Sequence, residues 1–329
     1  MLQPRQGRLL LVDGMAVAYR AYFKIGAKLV WNETRHASQE YPEAEEILTT
    51  LTFVSNLVTL LNLVPTHVGV VFDAGGKNFR HELFPQYKQH RAAMPDTLRN
   101  SMGLIKSSVR GLGLTIIERH GVEADDVIAS LAMRGVKAGM EVRVASPDKD
   151  FFQILGPNLR LLRPRPKGIG IDSFGLEEFE AKFEGLRVDQ FADMQALMGD
   201  QADNIPGVFG IGPKTASNLL KKYGTLDVII AKRESVMPQR VRTALCNEYE
   251  LLPAFKRLVV LRTELDDLHT GHLEAMEFGV PSDVEAATNF LDALAANVQN
   301  GDVEARSIKN RIEQIWNALD MRRRARISR

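Results

Sequence analysis

Among 329 residues there is one cysteine, Cys246, so the chain can form no internal disulfide and offers no multi-cysteine zinc site. A lone thiol of this kind suits a reducing compartment and reads as a small apolar filler on a helix. Long apolar runs are missing too: nothing approaches the roughly eighteen residues of a membrane span, and none is expected. The first apolar burst, LLLV, runs straight into Asp13 and Gly14, which suits a first β-strand better than a signal peptide. Nor is there an excess of one charge, since 42 Lys and Arg against 41 Asp and Glu leave a formal +1. That total argues neither for nor against a polyanionic partner. The distribution says more: acids sit at the ends of expected strands, while bases gather near 77–110, 214–222 and the C-terminal end. A near-neutral sum can conceal an acidic metal site beside basic grooves. Repeats and low-complexity segments are absent.

What is present is an alternation of apolar runs bounded by turns with helical periods, the pattern of an α/β domain with a largely parallel sheet. Strands are expected at Arg8–Val12, Val68–Phe72, Leu114–Ile117, Val142–Ala145 and Leu159–Leu162, and amphipathic helices at Glu43–Leu61 and Asp125–Lys137. Asn78–Arg99 mixes bases, aromatics and two prolines, and is expected to be a partly helical excursion. Beyond about residue 175 the strand signal fades into helices at Glu177–Phe183, Asp189–Met198 and Thr215–Tyr223, with one late apolar run, Leu258–Leu261, as a further strand candidate. From Ser282 the pattern is helical and ends in the basic stretch Met321–Arg329. Three regions are therefore expected: 1–175 as an α/β core, 176–280 as a helical module, and 281–329 as a basic helical extension.

Carboxylates recur at strand ends and in the turns that follow. LLLVDG ends in Asp13 and VVFDAGG carries Asp73; EADD supplies Glu123, Asp125 and Asp126; ASPDKD supplies Asp148 and Asp150; GDQADN supplies Asp200 and Asp203. In an open α/β sheet, functional groups collect beyond the carboxyl ends of the strands, so these distant residues should converge. Two like charges about 4 Å apart repel by roughly 4 kcal/mol at an effective dielectric of 20. A crowded set would stay partly protonated unless a cation neutralised it. Oxygen-only ligands suit Mg²⁺, with Mn²⁺ as a substitute, and carboxylates holding two such ions match two-metal phosphodiester hydrolysis. Taken singly, each motif has a plainer explanation: turn chemistry at Asp13, macrodipole at Glu123 to Asp126, a cap at Asp148, loop solvation at Asp200 and Asp203. Five segments ending alike make a joint accident implausible.

Two further segments point to an anionic partner. GVFGIGPKTA, with Gly207, Gly210, Gly212, Lys214 and Thr215, makes a glycine-rich turn opening a helix whose amides can face phosphate, and Lys221 and Lys222 follow on that helix. It is no P-loop, because Pro213 separates Gly212 from Lys214 and no strand precedes. A purely structural helix–turn–helix stays open beside a sequence-independent phosphate clamp. FRHELFPQYKQHR interleaves Arg80, Lys88 and Arg91 with Phe79, Phe84 and Tyr87. That suits a single strand whose bases stack, and equally a solvated basic helix with buried aromatics.

Together LLLVDGMAVAYRAYF, VVFDAGGKNFRHELFPQYKQHR, GVEADDVIASLA, ASPDKDFFQIL and GDQADNIPGVFGIGPKTA resemble the 5′ nuclease superfamily, from about Leu9 to Leu265. The likeness is to the 5′-3′ exonuclease domain of bacterial DNA polymerase I and its free-standing flap endonuclease relatives. It implies a Rossmann-like (PIN-like) sheet, a helical arch around Phe79–Arg99, and a helix–turn–helix module that grips duplex DNA with K⁺ in its loop. It implies Asp13, Asp73, Glu123 and Asp125 around one metal, and Asp148, Asp150, Asp200 and Asp203 around a second, with Asp126 close by. Arg80, Lys88 and Arg91 then fall at the arch bases that contact the scissile phosphate, and Tyr19, Arg20 and Tyr87 at DNA contacts. The activity implied is Mg²⁺-dependent cutting at 5′ flaps, nicks and 5′ ends in replication or repair, in an intracellular compartment that holds DNA. The longer stretch Lys24–Glu45 departs from the family pattern. The tail after about Gly279 lies outside the match, and a polymerase and ligase are expected in trans. Two alternatives belong to other classes: a non-catalytic binder of branched DNA, which should lack metal carboxylates, and a ribonuclease of the same core, which should lack the GVFGIGPKT clamp. A nucleotide-dependent oxidoreductase is excluded by the missing phosphate fingerprint.

Overall fold

The computed structural model describes residues 7–31, 42–165, 170–268, 270–296, 298 and 301–327. In chain order these form β1 (Arg8–Asp13), α1 (Gly14–Trp31), α2 (Pro42–Leu61), β2 (His67–Asp73), α3 (Phe79–Leu83), α4 (Asp96–Gly111), β3 (Thr115–Arg119), α5 (Ala124–Lys137), β4 (Glu141–Ala145), β5 (Leu159–Pro164) and β6 (Ile171–Phe174). The helical remainder is α6 (Leu176–Phe183), α7 (Phe191–Met198), α8 (Pro213–Tyr223), α9 (Leu226–Ala231), α10 (Gln239–Glu248), α11 (Leu252–Val259), α12 (Thr270–Glu274), α13 (Val284–Ala295) and α14 (Gly301–Ile327).

Among the described residues one sheet runs in the order β3-β2-β1-β4-β5-β6, parallel except for the antiparallel β6 at its edge. Helices cover both faces, and that is why strands such as Leu9–Val12 are unbroken apolar runs. Successive side chains alternate: Leu9 and Leu11 join Val142, Val144 and Leu161 on one face, whereas Leu10 and Val12 join Val70, Phe72 and Leu162 on the other. The first face packs on α5 and the helical module. The second packs on α1, α2, α4, α13 and α14. Strand order reverses at β1, which has β2 on one side and β4 on the other, so a crevice opens there beyond the carboxyl ends.

Two expectations about elements need correction, and one strand was missed. Leu258–Leu261 is not a strand: Leu252, Phe255, Leu258 and Val259 form the buried face of α11 at helical spacing. The edge strand β6 was not foreseen, because IDSF buries neither of its middle residues. Glu43–Leu61 is, by length and composition, apolar enough to cross a membrane, contrary to the reading that no segment approached this. Its apolar residues Leu51, Phe53, Val54, Leu57 and Leu61 are buried in the core.

Candidate active site

The carboxylates gather at this crevice. Asp13 closes β1; its Oδ1 accepts from the Ala16 amide at 2.9 Å and its Oδ2 from the Ser146 hydroxyl at 2.9 Å. Asp73 closes β2 and accepts from the Ala124 amide at 2.9 Å, which ties the strand to the first turn of α5. Asp13, Asp73, Glu123, Asp125 and Asp148 line one cavity of about 640 Å³, with Tyr19, Lys88, Arg91, Lys149 and Arg163 in its wall. The plainer roles exist beside this one. Asp13 does close a turn, and Asp148 and Asp200 do cap short 3₁₀ helices, accepting from the Asp150 and Ala202 amides. Glu123, Asp125 and Asp126 do stand at the N-terminus of α5, where the macrodipole favours acids, but the Glu123 carboxylate makes no capping bond and instead meets Lys88 Nζ at 3.0 Å and Asn78 Nδ2 at 2.9 Å.

Asp150, Asp200 and Asp203 adjoin the cavity from the module side. Asp150 accepts from Gln195 Nε2 at 2.6 Å, Asp200 meets Lys149 Nζ at 2.9 Å, and Asp203 meets Arg91 at 2.6 Å. The loop bearing Asp200 and Asp203 is pinched at its neck by Gly199 and Gly207, both at positive φ (78° and 65°). A methyl on either glycine would run into backbone atoms of the other strand of the neck. Inside it, Asp200 and Ile205 exchange both backbone hydrogen bonds at 2.8 Å. The segment expected as the arch is two helices, α3 and α4, joined by a turn and extended chain, and that turn docks on this loop. The Lys88 amide donates to the Asp203 carbonyl at 3.0 Å, Asn204 Nδ2 to the Gln86 carbonyl at 2.7 Å, and Arg91 Nε to the Ala202 carbonyl at 3.3 Å. Lys88 itself has a left-handed backbone, φ 54°, which a lysine adopts only where its surroundings impose it.

Three site expectations are overturned by burial. Arg80, 2% exposed, makes a two-pronged ion pair with Asp126 at 2.7 and 2.8 Å and donates to the Leu258 and Val260 carbonyls. It is therefore not presented to a phosphate. Asp126, 0% exposed, also accepts from the Arg262 amide and faces away from the cavity that Asp125 approaches. Tyr87, 2% exposed, has no free ring face for a base; its hydroxyl donates to Glu123 and Asp203. Tyr19 stacks on Phe23 at the cavity wall, and Arg20 points to the Arg165 carbonyl in the next cleft.

Electrostatics follow from crowding. Burial, then Asp73 and Asp148 against two stabilising hydrogen bonds, push the Asp13 carboxyl up to about 6. Burial and then Asp13 and Asp148 hold Asp125 well above the ordinary carboxylate range. Burial and Asp148 raise Asp150 to about 8, with Asp200 and Asp203 adding to it. Burial opposes charge on Glu123 as well, but Lys88 and Arg80 outweigh it and keep that acid below its usual range. Among the described residues no three acidic or histidine side chains, as placed, close on one ion; Lys88, Arg91 and Lys149 supply the balancing charge. The donor set nevertheless fits a hard divalent cation: carboxylates only, repelling one another, with neither histidine nor cysteine in the wall.

In the helical module, Gly207, Gly210 and Gly212 lead to Lys214 and Thr215 in the first turn of α8. Lys221 and Lys222 lie in its last turn, about two turns further along the helix than Lys214. Phe209, at the tip of the turn, is 86% exposed, and its amide donates to Glu248. Sequence reading missed Ser146, Lys149, Asn78, Arg163 and Gln195. The first two lie within or beside ASPDKD and could have been included with it; the others carry no local signal.

A doubly wound α/β sheet with carboxylates massed at its switch point, cations laid over them and a helical module alongside defines a phosphodiesterase-like class of protein. The chain belongs to the 5′-3′ exonuclease family: residues 8–184 match its N-terminal resolvase-like domain and 186–281 its C-terminal SAM fold. It is 36% identical over 292 residues to the thermostable DNA polymerase I of Thermus thermophilus, covering 85% of this chain and 33% of that one. To DNA polymerase I of Bacillus caldotenax it is 34% identical over 268 residues, covering 79% and 29%. The chain thus spans about a third of the length of these curated relatives. Among solved structures it is similar to the T5 D15 protein co-crystallised with metal ions (TM-score 0.60, 21% identity, 94% of this chain and 99% of that). It is also similar to the catalytic core of Rad2 with a DNA substrate (TM-score 0.59, 14% identity, 96% and 92%). At such identities these likenesses bear on the fold.

Proposed function

We propose that the chain is a Mg²⁺-dependent, structure-specific 5′-3′ nuclease that hydrolyses DNA near 5′ flaps, nicks and 5′ ends during replication or repair. The observation that carries this is the single cavity lined by Asp13, Asp73, Glu123, Asp125 and Asp148 with Lys88 and Arg91 across it. Asp13, Asp73, Glu123 and Asp125 would hold one Mg²⁺ or Mn²⁺ and Asp148, Asp150, Asp200 and Asp203 a second; the chemistry so supplied is an activated water and a stabilised leaving oxygen. Lys88 and Arg91 now neutralise Glu123 and Asp203. With a metal held by those acids, Lys88 and Arg91 would be left to meet the charge that grows on the scissile phosphate. Arg80 does not touch substrate; through Asp126 it anchors α3, and so the start of the Lys88 turn, to α5. The turn Gly207–Gly212 with Lys214 would take duplex phosphates through amides and charge, with K⁺ in the loop. DNA in a reducing compartment is the expected partner, along with a polymerase and a ligase that complete the repair.

The test is cleavage of end-labelled flap, nicked and single-stranded DNA in Mg²⁺ against EDTA, beside binding in Ca²⁺. Asp148→Asn should lower the cleavage rate by about a hundredfold or more while flap binding in Ca²⁺ is kept, in line with other single electrostatic removals. Cutting at full rate in EDTA would sink the proposal, and binding without cutting in Mg²⁺ would favour the non-catalytic alternative.

A further inference from the structure

A line of cations leaves the carboxylate cavity and ends on the helical module. Lys149 and Arg163 stand in the cavity wall. Arg163 Cζ lies 5.6 Å from the centroid of the Phe152 ring, and Lys182 Nζ lies 5.5 Å from the same centroid. Just past α6 the chain turns through Glu184 and Gly185, both at positive φ, and there α8 comes alongside. A Cβ placed on Gly185 would touch Lys221 Cε at 3.9 Å. Lys182 and Lys221 are exposed.

Charge along this line is poorly balanced. Lys149 is paired with Asp200, but among the described residues Arg163 and Lys182 have no acidic partner. One Arg163 nitrogen donates to the Pro147 carbonyl at 3.0 Å, and its Nε is buried without a partner. Glu178, four residues before Lys182 on the same helix face, is already engaged by Arg160 at 2.8 Å. Lys182 is exposed as a residue, but its ammonium is partly covered beside Phe152 and Phe183; that partial desolvation, and then the field of Arg163 and Lys149, hold it below its ordinary range. Like charges gathered around one ring favour an anion laid across them. Phe152, beneath them, is 1% exposed and offers no face to a base, so the occupant is backbone phosphate and not stacked bases.

We infer that Lys149, Arg163, Lys182 and Lys221 form a phosphate track that carries one strand of the duplex from the helical module to the carboxylate cavity. This rests on the nuclease reading and adds to it: the track fixes how far from the module-held duplex the cut falls. A strand that slips along it would be cut at neighbouring phosphates.

The experiment uses the full chain and two readouts. Binding of a fluorescent 5′ flap with a long duplex arm, and of a single strand of equal length, is titrated with salt in EDTA. Cleavage positions on the flap are then mapped in Mg²⁺. Lys182→Ala, on an exposed position, should flatten the salt slope for the flap by about one unit, leave the single strand unaffected, and spread cleavage over adjacent phosphates. Lys182→Arg should restore the slope. Arg163→Lys, which keeps charge and much of the packing, should bind as wild type, whereas Arg163→Gln should behave as Lys182→Ala does. An unchanged slope with an unchanged cut position overturns the track, as does equal weakening on single-stranded DNA. If wild type fails to cut in Mg²⁺ yet Lys182→Ala flattens the flap slope, the nuclease reading falls and the track stands.

Discussion

Asp125 and Asp126 are neighbours on α5 with different fates, and helical geometry separates them. Successive residues on a helix point about 100° apart, so one faces the cavity and the other the core beneath it. In the core Asp126 has Arg80 as counter-ion and the Arg262 amide as a further donor. Asp126→Asn keeps the shape and strands a buried guanidinium, and breaking such a pair costs about 3–5 kcal/mol. Thermal melting should show a loss of that order, with near-normal cleavage per folded molecule at low temperature. A loss of cleavage with unchanged melting would return Asp126 to the metal group. Asp150 behaves in the opposite sense. Its carboxyl, raised to about 8 from 3.8, binds its proton more tightly in the folded chain than in the unfolded one. The stability this contributes is complete below pH 3.8 and is lost as pH rises through about 8. Asp150→Asn removes the liability, so without metal its melting temperature relative to wild type should climb between about pH 4 and pH 8 and level off above. Saturating Mg²⁺ should erase that advantage by stabilising the wild-type carboxylate. A difference that is flat with pH in EDTA would show that Asp150 is not held protonated by its neighbours.

At the scale of elements, the site is two loops zipped together: the turn carrying Lys88 and Arg91, and the pinched loop carrying Asp200 and Asp203. The neck glycines decide whether the second loop can form. Gly207→Ala would need a left-handed alanine whose methyl meets the Gly199 backbone. The expected result is a cleavage loss about as large as for removing Asp203, with a destabilisation of roughly 1–3 kcal/mol. A structure or melting curve unchanged by the substitution would refute this account of the neck. How far such elements can be read from sequence depends on the range of the force that makes them. β1, β2, β4 and β5 were legible because a buried parallel strand is a local apolar run with turns at both ends. Leu258–Leu261 misled for the same reason, since a short apolar run does not say whether it is strand or helix end. β6 was invisible because pairing with β5, and not its own pattern, makes it a strand. Asp13, Asp73 and Asp148 could be placed together from strand-end logic. The Arg80–Asp126 and Lys149–Asp200 pairs could not: in each, partners tens of residues apart are joined by tertiary packing that composition does not record.

Over the whole molecule, the two faces of the sheet have different coverings. One carries α5 and the helical module, which together with the crevice make the candidate site. The other carries α1, α2 and α4, and over these lie α13 and α14, from beyond the residues that match the family domains. Leu291, Leu294, Ile308, Ile312, Ile315 and Trp316 are buried there in one cluster with Leu51, Val54 and Val58 of α2. Arg311 adds hydrogen bonds to Ser55 and Thr59. Each large apolar side chain so buried contributes about 1.5–3 kcal/mol before the entropy of ordering two helices is subtracted. The extension is therefore part of the core on the face away from the carboxylates. Ending the chain after Pro281 should lower the melting temperature by several degrees, since 1 kcal/mol shifts a chain of this size by roughly 1–2 °C. Binding of a hydrophobic dye should rise as the outer side of α2 meets water. Cleavage of a flap at low temperature should persist, because every carboxylate of the site and the whole track to Lys221 lie before the cut. If the shortened chain melted with the full one but lost flap binding, α13 and α14 would instead be part of the DNA-binding surface.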